Sequence, residues 1–114
     1  MGTVLQVRVM AETYSEDEVR KAWPALWRLV WEDGGDAIPK KGVLELAQAV
    51  FNAVRAGLIP ARQAESLRNA ADAVEELRFK LQDALAARNP QEADRLTYAI
   101  EDELDELEDM AKKF

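Results

Sequence analysis

The sequence predicts a mainly α, four-helix bundle-like domain, built on a long antiparallel helical hairpin (61–88 and 90–112) and preceded by one N-terminal β-strand at 3–13. Three observations carry that expectation. Apolar residues recur at steps of three and four over four separate stretches, the period of a helix face. Asn89-Pro90 interrupts the longest of these. Only the first stretch alternates with period two.

In that first stretch Leu5, Val7, Val9 and Ala11 fall on one side and Gln6, Arg8, Met10 and Glu12 on the other, the pattern of a half-buried strand. A lone strand leaves its ladder groups unpaired. The expectation is therefore pairing with a second subunit or a partner chain, or with a weak second strand at Ala37-Ile38-Pro39.

Ser15-Glu16-Asp17-Glu18 reads as a capping box that opens a helix over 15–32, with Val19, Trp23, Leu26, Trp27, Val30 and Trp31 on its apolar face. Pro24 sits inside it and removes a hydrogen bond, so a kink or a fresh start is expected there. Asp33-Gly34-Gly35-Asp36 ends it, Gly34 being suited to a left-handed cap. The next helix, 43–56, turns Val43, Leu46, Ala47, Val50, Phe51 and Val54 inward, and Gly57 closes it.

Pro60 opens the first hairpin arm, striped by Leu67, Ala71, Val74, Leu77, Leu81 and Leu85. Asn89 caps the second arm, Pro90 takes its first helical position, and Glu92 is placed to complete a capping box. Ala93, Leu96, Ile100, Leu104, Leu107, Ala111 and Phe114 form its stripe. A link this short folds the arms back as neighbours; the alternative is one long kinked helix.

The chain of 114 residues suits a single domain spanning 1–114. A chain this long buries about 65% of its unfolded surface, enough for a core without staples. With no Cys there is no disulfide framework, and a cytoplasmic, reducing location fits. With no His the commonest general base and transition-metal ligand are gone. No run is apolar enough to span a membrane, and the opening residues lack the basic region of a signal peptide. Net charge is −7, of which residues 90–114 carry −6, so direct nucleic-acid binding is not expected.

Two constellations stand out. Trp23, Trp27 and Trp31 lie at i, i+4 and i+8, so an unbroken helix stacks them on one face, as core filler or as a platform for a partner. On the last helix Glu101, Asp105 and Glu108 share one face, and Asp102, Glu106 and Asp109 another. Those rows read as a solvated face, as a docking surface for a basic partner, or, least well, as a hard-cation site, because EF-hand spacing is absent. Glu108–Lys112 and Asp109–Lys113 are expected helix pairs. Gly34-Gly35 with Lys40-Lys41 does not follow the order of a phosphate loop. Ser15 and Ser66 have no His partner for nucleophilic catalysis.

The helix, Gly57-Leu58-Ile59-Pro60, helix stretch has the outline of a helix-turn-helix but little net positive charge. Over roughly residues 47–75 it also resembles the short helical oligomerisation modules called SHOCT domains, with Pro60 where those carry Thr. The likeness rests on few positions and implies no family.

The expected function is a non-enzymatic protein–protein interaction module: a small acidic adaptor, chaperone-like or regulatory subunit. It needs no cofactor, forms a homodimer through the N-terminal strand, and offers Trp23, Trp27, Trp31, Asp102, Glu106 and Asp109 to a basic protein partner. The alternative is an acidic nucleic-acid mimic that occupies the nucleic-acid site of a host or phage factor, its carboxylates standing in for phosphates.

Overall fold

The architecture comes from a computed structural model that describes residues 4–7, 11–13, 15–33 and 41–114. Expectations for Gly34-Gly35, for Ala37-Ile38-Pro39 and for Lys40 lie outside those residues. Two short strands, β1 (Leu5–Val7) and β2 (Ala11–Thr13), are followed by the helices α1 (Glu16–Ala22), α2 (Pro24–Trp27), α3 (Val43–Ala56), α4 (Ala61–Ala86) and α5 (Pro90–Ala111). A π-helical segment, Arg28–Asp33, continues α2. The Cα radius of gyration, 13.4 Å, is that of a compact chain of this length, for which about 13 Å is typical.

The single strand expected over 3–13 is not supported. What is described there is two three-residue stretches paired antiparallel, Leu5 with Thr13, Gln6 with Glu12 and Val7 with Ala11. An isolated strand cannot satisfy its own N–H and C=O groups, and here the chain supplies the partner within the same stretch. No Gly, Pro, Asn or Asp lies between residues 5 and 13 to announce a reversal.

Pro24 acts as its chemistry requires. α1 stops at Ala22, Trp23 takes a non-helical conformation (φ −132°, ψ 62°), and α2 starts afresh with Pro24 in its first turn. Ser15 is extended at the start of α1 but makes no side-chain capping bond, so the expected capping box is not formed.

α4 packs along α5 on one side and against α3 on the other. Leu67, Val74, Leu81, Leu96, Ile100, Leu104 and Leu107 are fully buried. Removing one such leucine from water contributes about 2 kcal/mol, so the hairpin holds by its stripe. On α3 the buried face is rotated from expectation: Ala49 and Ala53 are buried, while Phe51 and Val54 are half-buried. Arg55 reaches from α3 to both carboxylate oxygens of Asp72 on α4 (2.9 and 2.8 Å).

Both links of the α3–α4–α5 path contain a left-handed residue. Gly57 (φ 71°) ends α3, and the Leu58 N–H bonds to the Ala53 carbonyl (3.1 Å). Arg88 (φ 53°) does the same job after α4, with the Arg88 N–H on the Leu85 carbonyl (3.1 Å) and the Asn89 N–H on the Ala84 carbonyl (2.9 Å). That is the Schellman pattern with Arg where Gly is usual. The Asn89 side chain then accepts the Glu92 N–H (3.2 Å), as expected, but Glu92 pairs with Arg95 rather than with Asn89, whose N–H is already taken.

Candidate functional site

α5 faces two ways, and its carboxylates sort accordingly. Glu101 and Glu108 lie at the edge of the apolar stripe, within one turn of Ile100, Leu104 and Leu107, and both are buried. Glu101 Oε2 accepts the N–H of Val4 (3.1 Å) and of Leu5 (2.9 Å). Glu108 accepts the Ala25 N–H on Oε2 (3.0 Å) and the Leu26 N–H on Oε1 (2.9 Å). Pro24 explains the second pair. A helix that restarts mid-domain leaves its first N–H groups without carbonyls one turn earlier, and a carboxylate at that end satisfies them and the helix dipole together. Between these two, Asp105 Oδ1 accepts the indole N–H of Trp23 (2.8 Å). Thr13 is a fourth accepting side chain, its Oγ1 taking the Val43 N–H (2.8 Å) at the start of α3. Gly42 permits that approach, since a Cβ there would collide with the Thr13 and Glu45 side chains.

The other row, Asp102, Glu106 and Asp109, is exposed. Asp102 to Asp109 spans two turns, about 10 Å along the helix. None of the three pairs with a cation among the described residues. The Glu108–Lys112 and Asp109–Lys113 pairs do not form; Glu108 is turned inward. Glu103, half-buried on the side of the outer row away from Glu101 and Glu108, has its carboxyl pushed above the ordinary carboxylate range. Burial is the main cause, followed by the charges of Glu106 and Asp102 and a hydrogen bond with Glu106. Far from this patch, the Arg95 guanidinium bonded to Glu92 holds that carboxyl below its usual range.

The tryptophan stripe goes mostly inward. Trp23 (1% exposed) and Trp31 (5%) are in the core. Trp27 is half-buried, edge-on to Trp31 with ring centroids 4.7 Å apart. Lys41 Nζ sits 5.4 Å from the Trp27 ring centroid and 5.9 Å from that of Trp31, in range of a cation–π contact. Trp31 Nε1 is buried without a hydrogen-bond partner among the described residues. The break at Trp23 and the π turn shift the helical phase, so the three rings do not form one ladder. Two sets of residues thus separate: Asp102, Glu106 and Asp109 share one exposed face, while buried Trp23 is held by Asp105 on the adjoining face of α5.

Comparison with protein-family models, curated proteins and solved structures finds no match. The SHOCT-like turn therefore stands as a local likeness. Among the described residues no group of three or more carboxylates lies close enough to hold a metal ion, and no helix is long and apolar enough to cross a membrane.

Sequence reasoning did not find the exposed large apolar side chains, Leu58, Phe79, Tyr98 and Phe114. Phe114 follows Ala111 at a spacing that reads as stripe, but α5 ends at Ala111 and leaves the ring half in water. Leu58 reads as a hydrophobic stop, yet it is Ile59 that is buried.

Proposed function

We propose that this chain is a non-enzymatic interaction module whose outer carboxylate row, Asp102, Glu106 and Asp109, steers a basic protein partner. The observation that carries the reading is the division of labour on α5. Its inner carboxylates are committed to backbone N–H groups and an indole, so the helix is held firmly at several points. The outer ones are exposed, repel one another, and lack cationic partners among the described residues. A basic surface would relieve that repulsion. The inventory supports an absence of catalysis in this reading: there is no His or Cys, and the buried carboxylates already accept hydrogen bonds. A homodimer through the N-terminal strand loses part of its motive, because β1 finds a partner in β2. The mimic reading also weakens, since two of the carboxylates that would imitate phosphates, Glu101 and Glu108, are buried on backbone N–H groups.

The test is a pull-down from the source cell followed by binding kinetics. Neutralising Asp102, Glu106 and Asp109 to Asn, Gln and Asn should slow association and flatten its salt dependence with little change in off-rate, as expected of rim charges. Trp27→Ala, at the one tryptophan of the three that is partly exposed, should raise the off-rate. A captured partner that is acidic, or that ignores both changes, would sink the proposal. Competition by excess DNA or RNA would favour the mimic instead.

A further inference from the structure

At the end of the bundle where α5 finishes, the exposed surface changes character. One groove runs from Leu29, past Leu58 and Ile59, to Phe114, and continues along Met110 between α4 and α5; Gln63 and Phe114 line both parts. Two of the four large exposed apolar side chains stand here, Leu58 (50% exposed) and Phe114 (46%). Single exposed apolar residues are ordinary; here two of them border one concave, partly apolar groove, which gives a partner's apolar side chains a place to pack. The rim carries the second signal. Arg28, Arg62 and Lys113 line the groove, and no Asp or Glu does. In a chain of net charge −7, three cations with no acid among them are a local reversal of sign. None of the three forms an ion pair among the described residues, although acids outnumber bases in the chain.

We infer that this groove docks an acidic amphipathic helix, with apolar side chains on Leu29, Leu58 and Phe114 and carboxylates on Arg28, Arg62 and Lys113. Helix-in-groove recognition needs an apolar trough for anchors at i, i+3 or i+4, and i+7, and charges on the rim that select the partner's flanks. Charge complementarity decides the occupant. A symmetric second copy would set these cations against themselves. A head-to-tail copy would bring the outer row of α5, where Tyr98 is the only large exposed apolar side chain. An anionic membrane surface would meet a concave site whose neighbouring helix face bears Asp105, Glu106 and Asp109, and like charge opposes that approach. The inference is independent of the proposed basic partner, because it concerns a different surface of opposite sign.

The experiment titrates the chain into two fluorescein-labelled helical peptides of about sixteen residues, both with leucines at i, i+4, i+7 and i+11, one otherwise rich in Glu and the other in Lys. Anisotropy should show the Glu peptide binding at least about tenfold tighter than the Lys peptide, and weakening as salt rises. Leu58→Ser with Phe114→Ser should cost at least about tenfold, as expected for lost apolar anchors. Arg62→Glu with Lys113→Glu should invert the preference between the peptides. All four side chains are at the surface, and an unchanged circular dichroism melt confirms that each variant is folded. The outer-row variant should bind the Glu peptide as well as the parent or better, which separates this site from the basic-partner surface. Equal or tighter binding of the Lys peptide, or indifference to both double variants, would overturn the inference. So would binding to vesicles containing phosphatidylserine without binding to the Glu peptide. Concentration-dependent self-association that blocks the Glu peptide would overturn it as well.

Discussion

Glu108 and Asp109 are neighbours in sequence and carry the same charge. Glu108 is 3% exposed with a backbone N–H on each oxygen, while Asp109 faces solvent. The same contrast repeats two turns earlier, between buried Glu101 and exposed Asp102; Asp105 and Glu106 are both exposed, and differ in that Asp105 accepts the Trp23 indole N–H. Burying a carboxylate is costly unless donors await it. In this chain the donors come from places where the backbone cannot satisfy itself: the helix start that Pro24 creates, and the N–H groups of Val4 and Leu5. An acidic helix is thus one object by composition and two by function. Its inner row completes the hydrogen bonding of the N-terminal half, and its outer row is left for solvent or a partner.

The largest effect should come from breaking the inner row. Glu108→Ala leaves the buried Leu26 N–H and the part-buried Ala25 N–H without an acceptor and should cost about 3 kcal/mol in urea unfolding, the scale of losing two hydrogen bonds to a charged group. A loss below about 0.5 kcal/mol would mean that the two rows are energetically alike. Next comes the bond between Trp23 and Asp105. A double-mutant cycle with Trp23→Phe and Asp105→Ala should return a coupling of about 1 kcal/mol, and a coupling near zero would remove Asp105 from the inner row. Neutralising the outer row together should change stability by no more than about 0.5 kcal/mol, with the sign towards stabilisation because like charges one turn apart are relieved.

Glu103 sharpens the comparison at its boundary. Its carboxyl lies above the ordinary value when folded, so the folded state holds that proton more tightly than the unfolded chain does. Stability is then lost as pH rises through the carboxylate range and beyond. Glu103→Gln should therefore stabilise at pH 7 by about a few tenths of a kcal/mol, and the gain should vanish at about pH 4. Urea midpoints at the two pH values measure it. The gain should shrink in the outer-row variant, because Asp102 and Glu106 are among the causes of the shift.

The helices were legible because a core stripe repeats with the helical period, and Pro60, Pro90 and Gly57 mark their ends. The two carboxylate faces were legible too, since spacing alone separates them. Which face turns in was not, because that depends on donors far away in sequence. The one available signal was Pro24, which frees N–H groups that must find an acceptor. The strand pairing was hidden by the absence of turn residues. The cap at Arg88 was hidden because a left-handed arginine looks like any other arginine. The basic-rimmed groove was illegible because Arg28, Leu58, Arg62 and Phe114 come together only once the π-helical segment, the α3–α4 link, α4 and the end of α5 are packed.

The bonds from Val4 and Leu5 to Glu101 bridge 97 and 96 residues, and those from Ala25 and Leu26 to Glu108 bridge 83 and 82. A ribosome makes a chain from its N-terminus at about 5–20 residues per second. The first segment therefore emerges seconds before the carboxylates that receive it exist. Until then Trp23 and its apolar neighbours have no α5 to lie on, and contacts of such long reach close slowly. α3 and α4, whose contacts are local, can pair meanwhile. The N-terminal segment can meet α3 early, through the Thr13 bond to the Val43 N–H, but its bonds to Glu101 and Glu108 must wait for the last helix to be made.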